Sequence, residues 1–103
     1  MDSIKKPYET RRVECIIYGR VQGVMFRDFV KRSAKKFGVL GTVENQQNGT
    51  VYVVAEADEK ILKEFIKELY RKPLISRMVA RVDGISEEWK EATGEFKSFD
   101  IIY

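Results

Sequence analysis

Apolar and polar residues alternate from Val13 to Gly19, which predicts a strand with Val13, Cys15 and Ile17 on one face and Glu14, Ile16 and Tyr18 on the other. A glycine-bounded loop from Gly19 to about Val24 follows. The period then becomes helical, with Phe26, Phe29, Val30, Ala34 and Phe37 on one stripe, lysines opposite and Gly38 as the C-cap. Val39–Asn45 and Thr50–Glu56 read as strands joined through Gln46-Gln47-Asn48-Gly49, whose Asn-Gly pair favours a tight hairpin. Asp58 offers an N-cap to a second helix with Ile61, Leu62, Phe65, Ile66 and Leu69 as its stripe, and Pro73 closes that region. Met78–Val82 predicts a fourth strand, and Phe99, Ile101 and Tyr103 alternate in a final one. Asp83–Gly94 is acidic and shows no period that assigns it. Met1–Arg12 carries mixed charges and one proline without apolar periodicity, so residues 1–12 are expected to form a flexible arm and 13–103 the domain.

The order strand, helix, strand, strand, helix, strand, with one further strand, is the split βαβ arrangement of a ferredoxin-like α+β sandwich. Two helices would cover one face of an antiparallel sheet. With 103 residues, 44% hydrophobic and 34% charged, the chain suffices for one core without staples. The lone thiol, Cys15, has no internal partner and fits a reducing compartment. It falls on the core face of the first strand, where it acts as a small hydrophobe, and Trp89 is expected to pack a loop against the sheet. No apolar run approaches the ~20 residues of a membrane span, and Met1–Arg12 lacks the apolar core of a signal peptide, so a cytoplasmic protein without membrane contact is expected.

The absence of histidine excludes Ser-His and Cys-His nucleophile pairs and the ordinary Cys/His zinc site. A cysteine-phosphatase loop would need arginine where Val21 stands, and no Walker A spacing is present. Arg20 to Lys36 contains six basic residues and one acid, a local +5, which leaves −2 for the rest of a chain whose total is +3. Such a concentration suits an anionic partner, although from charge alone a solvated lysine-rich helix face is the favoured account.

The loop Gly19-Arg20-Val21-Gln22-Gly23-Val24-Met25-Phe26-Arg27 leads from a strand straight into a helix. Its backbone N–H groups, with those of the helix N-terminus, can form a nest for phosphate or carboxylate, although glycines also serve such turns without any ligand. Arg27 lies in the first helical turn, where a cation opposes the helix dipole by roughly 0.3–1 kcal/mol unless an anion is present. Its planar fork suits two phosphoryl oxygens. A nucleic-acid reader of the same topology would use aromatic residues such as Tyr18 and Tyr52 on the open sheet face. Thr50–Glu56, however, lacks the basic-glycine-aromatic run of such readers.

Ile17-Tyr18-Gly19-Arg20-Val21-Gln22-Gly23-Val24-Met25-Phe26-Arg27 resembles the first signature of the acylphosphatases at every position that the family pattern restricts. Gly41-Thr42-Val43-Glu44-Asn45-Gln46-Gln47-Asn48-Gly49-Thr50-Val51 is similar to the second. There Thr42 replaces an aromatic, Glu44 a basic or uncharged residue, and Ala57 a later glycine. The resemblance covers Val13 to Tyr103 and implies a ferredoxin-like hydrolase cleaving small acyl phosphates to carboxylate and inorganic phosphate, with no metal and no cofactor. It implies Arg27 as the phosphate-binding arginine and Asn45 as the residue orienting the attacking water. The backbone amides of Gln22, Gly23, Val24, Met25 and Phe26 would form the cradle. An amide can fix a water without taking its proton, and acyl phosphates have a good leaving group, so no histidine is needed.

A monomer acting on a small acyl phosphate, without nucleic acid, is the expected state. A non-catalytic anion or nucleic-acid binding module on the same fold is the alternative, and a domain handling carbamoyl phosphate within a larger assembly a third reading that the short length disfavours. Glu44 should alternate to the face opposite Asn45. If its field reaches the site, Glu44→Lys speeds turnover modestly and the gain shrinks with salt. A rate unchanged across a salt series would show that the field does not matter.

Overall fold

The structure, a computed structural model, describes residues 9–23, 25–71 and 80–103. Its elements are β1 (Thr10–Arg20), α1 (Phe26–Phe37), β2 (Leu40–Asn45), β3 (Val51–Asp58), α2 (Glu59–Tyr70), β4 (Arg81–Glu91) and β5 (Phe99–Ile102). They build one five-stranded sheet in the order β4-β1-β3-β2-β5. The ferredoxin-like α+β sandwich is thus the observed architecture. The sheet differs from the expected one in being mixed, because β5 runs parallel to β2 while the other neighbours are antiparallel.

Period-2 alternation decides the faces. Val13, Cys15 and Ile17 pair with Ala55, Val53 and Val51, and all six are fully buried beneath the helices. Helix α1 sets Phe26, Phe29, Val30 and Ala34 into this layer, and α2 adds Leu62, Phe65, Ile66 and Leu69. Complete burial of a side chain such as Phe65 or Leu62 is worth about 1.5–3 kcal/mol, so this layer supplies the main drive for folding. The predicted caps are formed. Asp58 accepts from the Lys60 N–H at 2.8 Å, and the Gly38 N–H reaches the carbonyls of Ala34 and Lys35. Gly41 permits a close approach within the β2–β3 pair, since a Cβ there would lie 1.8 Å from the Val54 carbonyl oxygen.

Two expectations change. Thr10, Arg11 and Arg12, assigned to the arm, belong to β1 and pair with Asp58, Ala57 and Glu56. Their charges are accommodated because Arg12 meets Glu14 at 2.8 Å and Glu56 at 3.1 Å, an ion-pair network that hydropathy does not reveal. The fourth strand is not Met78–Val82. It runs from Arg81 to Glu91, through most of the unassigned acidic segment, while Met78, Val79 and Pro73 lie outside the described residues. Trp89 is accordingly a strand residue, opposite Val13 and packed against the core.

The second face of the sheet is closed in part by the connection from β4 to β5, which must pass from one sheet edge to the other. Glu56 holds it there. Its carboxylate accepts from the Thr93 N–H (2.8 Å), the Thr93 hydroxyl (3.0 Å), the Gly94 N–H (3.0 Å) and Arg12 (3.1 Å). Tyr18 and Tyr52 share this face, as expected, and the Tyr52 hydroxyl donates to Glu14 at 3.1 Å.

Candidate active site

The loop after β1 is anchored at both ends. Val21 is buried in the core, and the Gln22 side-chain amide donates to the carbonyls of Gln46 and Thr50, each at 2.8 Å, tying the loop to the β2–β3 hairpin. Gly23 has φ 73°, and Met25, with φ 62° and ψ 23°, is the one non-glycine of positive φ among the described residues. Met25 occupies the N-cap of α1 without a side-chain hydrogen bond to the helix. The first amides of α1 therefore keep their donors free of a capping side chain and face the loop mouth.

A pocket of about 370 Å³ opens at this point, lined by Val21, Gly23, Met25, Phe26, Arg27, Asp28, Asn45, Ile101 and Tyr103. Four of the seven expected site residues, Gly23, Met25, Phe26 and Arg27, come from the loop and the first turn of α1. Asn45 comes from the end of β2. It pairs with Val51 and so shares the core-side face, which brings it beside the loop. Gln22 lies next to the pocket with its side chain turned to the hairpin. Val24 lies outside the described residues.

Two features give the pocket chemical character. Arg27 has no carboxylate partner among the described residues; its guanidinium contacts the Ile102 carbonyl at 3.4 Å and the Tyr103 ring, whose centroid is 5.0 Å away. Asn45 has a buried Oδ1 that accepts no hydrogen bond from the described residues. A buried acceptor left unpaired costs about 1–3 kcal/mol, which a donor reaching it would relieve. Asp28, the carboxylate of the lining, is held by Arg32 at 3.3 Å. No hydroxyl, thiol or amine nucleophile is among the lining residues other than the Tyr103 phenol. Cys15 lies buried in the core, where desolvation first, then the nearby Glu87 charge, push its thiol up to about 12.

A family model described as acylphosphatase matches residues 13–101. The chain belongs to the acylphosphatase family. The acylphosphatase of Caldanaerobacter subterraneus subsp. tengcongensis is 42% identical over 94 residues, covering 88% of this chain and 97% of its own length. The crystal structure of acylphosphatase from Bacillus subtilis matches with a TM-score of 0.81 and 31% identity, over 90% of this chain and 99% of that one. T. kodakarensis HypF matches with a TM-score of 0.75 and 30% identity, over 90% of this chain but 12% of its own, so the module also occurs as a small part of a longer protein.

As an acylphosphatase, the chain releases phosphate from an acyl phosphate. Its departures from the family signatures fall away from the pocket lining. Thr42 and Glu44 pair with Val54 and Tyr52 on the opposite face, and Ala57 pairs with Arg11 at the far end of β3. Glu44 contributes instead to a separate recess of about 400 Å³ with Ile16, Gln46, Asn48, Thr50 and Tyr52. Among the described residues, no three His, Cys, Asp or Glu side chains gather as a metal site, and no helix is long and apolar enough to cross a membrane. Val21, Asp28, Ile101 and Tyr103 are the lining residues that sequence reasoning did not name as site residues, the last two lying at and just beyond the end of β5. Alternation marked these two as strand positions but carried no sign that β5 would end against Arg27.

Proposed function

We propose that the pocket binds a small acyl phosphate with its phosphoryl group on the backbone amides of the Gln22–Phe26 loop and the Arg27 guanidinium, and that Asn45 orients the attacking water. The observation that carries this reading is the pairing, in one pocket, of an arginine and a buried amide oxygen that find, among the described residues, no carboxylate partner and no donor respectively. The amide oxygen accepts one O–H of a water, which turns a lone pair of the water oxygen toward phosphorus. The water oxygen forms the new P–O bond as the bond to the carboxylate oxygen breaks. The carboxylate leaves with that electron pair, and the water's proton passes to a phosphate oxygen. Fixed amide dipoles and the guanidinium stabilise the charge on the equatorial oxygens, which is the main requirement of a loose phosphoryl transition state.

Hydrolysis of benzoyl phosphate by the purified chain in chelator tests this. Turnover persists in chelator, Asn45→Ala loses about 10²–10³ in kcat by removal of a positioned polar group, and Arg27→Ala loses at least as much in kcat/KM. Both variants keep the wild-type circular dichroism. A folded wild type no faster than buffer would reduce the pocket to an anion-binding site.

A further inference from the structure

Arg27 raises a positioning problem that the loop does not solve. It is a long side chain near the N-terminus of α1, where the dipole repels it, and no carboxylate among the described residues holds it. A phosphoryl group would have to order it at the expense of binding free energy unless something else has done so first. Among the described residues, the polar and cation–π contacts of the guanidinium both come from the end of β5 and the residue after it: the Ile102 carbonyl at 3.4 Å and the Tyr103 ring at 5.0 Å. Strand β5 reaches this place because it runs parallel to β2, with Val43 opposite Ile101 and Glu44 opposite Ile102, so it ends beside Asn45.

We propose that Tyr103 is a positioning residue for Arg27, its ring holding the guanidinium plane over the pocket so that the N–H edges stay free for the phosphoryl group. This rests on the reading of the pocket as a phosphoryl site. The geometry suits the role because a ring attracts the face of a guanidinium, whereas hydrogen bonds leave from its edge. Of five N–H donors, one is directed to Ile102 and the other four meet no acceptor among the described residues. Tyr103 is also 93% exposed, so its ring adds almost nothing to the core, and core packing does not explain its place over the pocket.

The test measures binding of inorganic phosphate by calorimetric titration, alongside KM and kcat for acetyl and benzoyl phosphate, in Tyr103→Ala, Tyr103→Leu and Tyr103→Phe. Alanine and leucine weaken phosphate about two- to fivefold and raise both KM values by a similar factor, while phenylalanine restores wild-type behaviour. In an Arg27→Ala background, Tyr103→Ala has no further effect on phosphate binding. Thermal midpoints stay unchanged. Phosphate affinity unaffected in Tyr103→Ala, leucine as good as tyrosine, an effect confined to benzoyl phosphate, or an effect that persists without Arg27 would each overturn the proposal. A wild type that hydrolyses nothing but binds phosphate in a Tyr103-dependent way would refute hydrolysis and support the positioning role. A wild type that neither hydrolyses the acyl phosphates nor binds phosphate overturns both, and one that hydrolyses them without binding phosphate overturns the positioning role as stated.

Discussion

Met25 sits in a backbone region that costs an ordinary L residue about 1 kcal/mol, and it does so where the loop turns into α1. The strained turn keeps the helix amides uncapped and aimed at the pocket. Met25→Gly therefore leaves stability within about 0.5 kcal/mol of wild type, because relief of strain is offset by greater freedom of the unfolded chain. Met25→Val, β-branched and poorly suited to positive φ, costs about 1–2 kcal/mol in urea denaturation. Equal stability of the two variants would show that the turn carries no strain. At this scale the sequence was informative for local reasons. The loop glycines, Arg27 and the Asn-Gly hairpin that follows Asn45 are all short-range signals. What it did not disclose is that Asn45 Oδ1 finds no donor among the described residues and that the Tyr103 ring stands 5.0 Å from the Arg27 guanidinium, since both depend on which elements the sheet brings together.

Strand β4 shows why an element can escape notice. Its pairing with β1 shifts register between Tyr18 and Gly19, so that Gly84 and Val82 are consecutive partners and Asp83 is passed over. The bulge puts Val82 and Ile85 on the same face despite their odd spacing, and acids occupy much of the rest of this edge strand. A search for strict alternation ends at Val82. The hairpin strands β2 and β3, by contrast, pair without a register shift, and their predicted ends lie within a few residues of the observed ones. Their contact depends on Gly41, whose missing Cβ admits the Val54 carbonyl. Gly41→Ala forces the backbones apart and costs about 3 kcal/mol or more in urea denaturation, and it lowers activity through displacement of Asn45 on the same strand. Wild-type stability of that variant would mean that β2 can shift without loss.

Across the molecule, the two faces of the sheet are held by different physics. The helix-covered face is apolar, and the other is bound to its crossing strap by the Arg12, Glu14, Glu56 and Lys90 network. Burial pushes the Glu56 carboxyl up, but the Thr93 and Gly94 N–H groups, Arg12 and the Thr93 hydroxyl outweigh it and hold the group below its ordinary 4.5. For Glu14 the Arg12 hydrogen bond leads, opposed by burial and aided by Lys90 and Tyr52, with the same downward result. A carboxyl more acidic in the folded than in the unfolded chain stabilises the fold fully above its unfolded value. That stabilisation is lost as the pH falls through the folded value. Denaturation midpoints should thus drop from about pH 5 downward, and Glu56→Gln, less stable by about 1–3 kcal/mol at pH 7, should show a flatter decline. An identical pH profile for wild type and variant would rule out the network as the acid-sensitive part. The layered architecture itself was legible from period and order, whereas the direction of β5 was not, because no local pattern marks a strand as parallel.

That parallel strand also sets an order of events in time. Arg27 and its Ile102 contact are 75 residues apart, and the last of the pocket walls arrives only when β5 docks beside β2. Closing so long a loop is slow compared with forming a hairpin or a helix. A chain in which the loop, α1 and Asn45 are already native therefore still holds an untethered arginine. Competence to bind its substrate is then among the last properties the refolding molecule acquires, and the return of phosphate affinity times the completion of the fold.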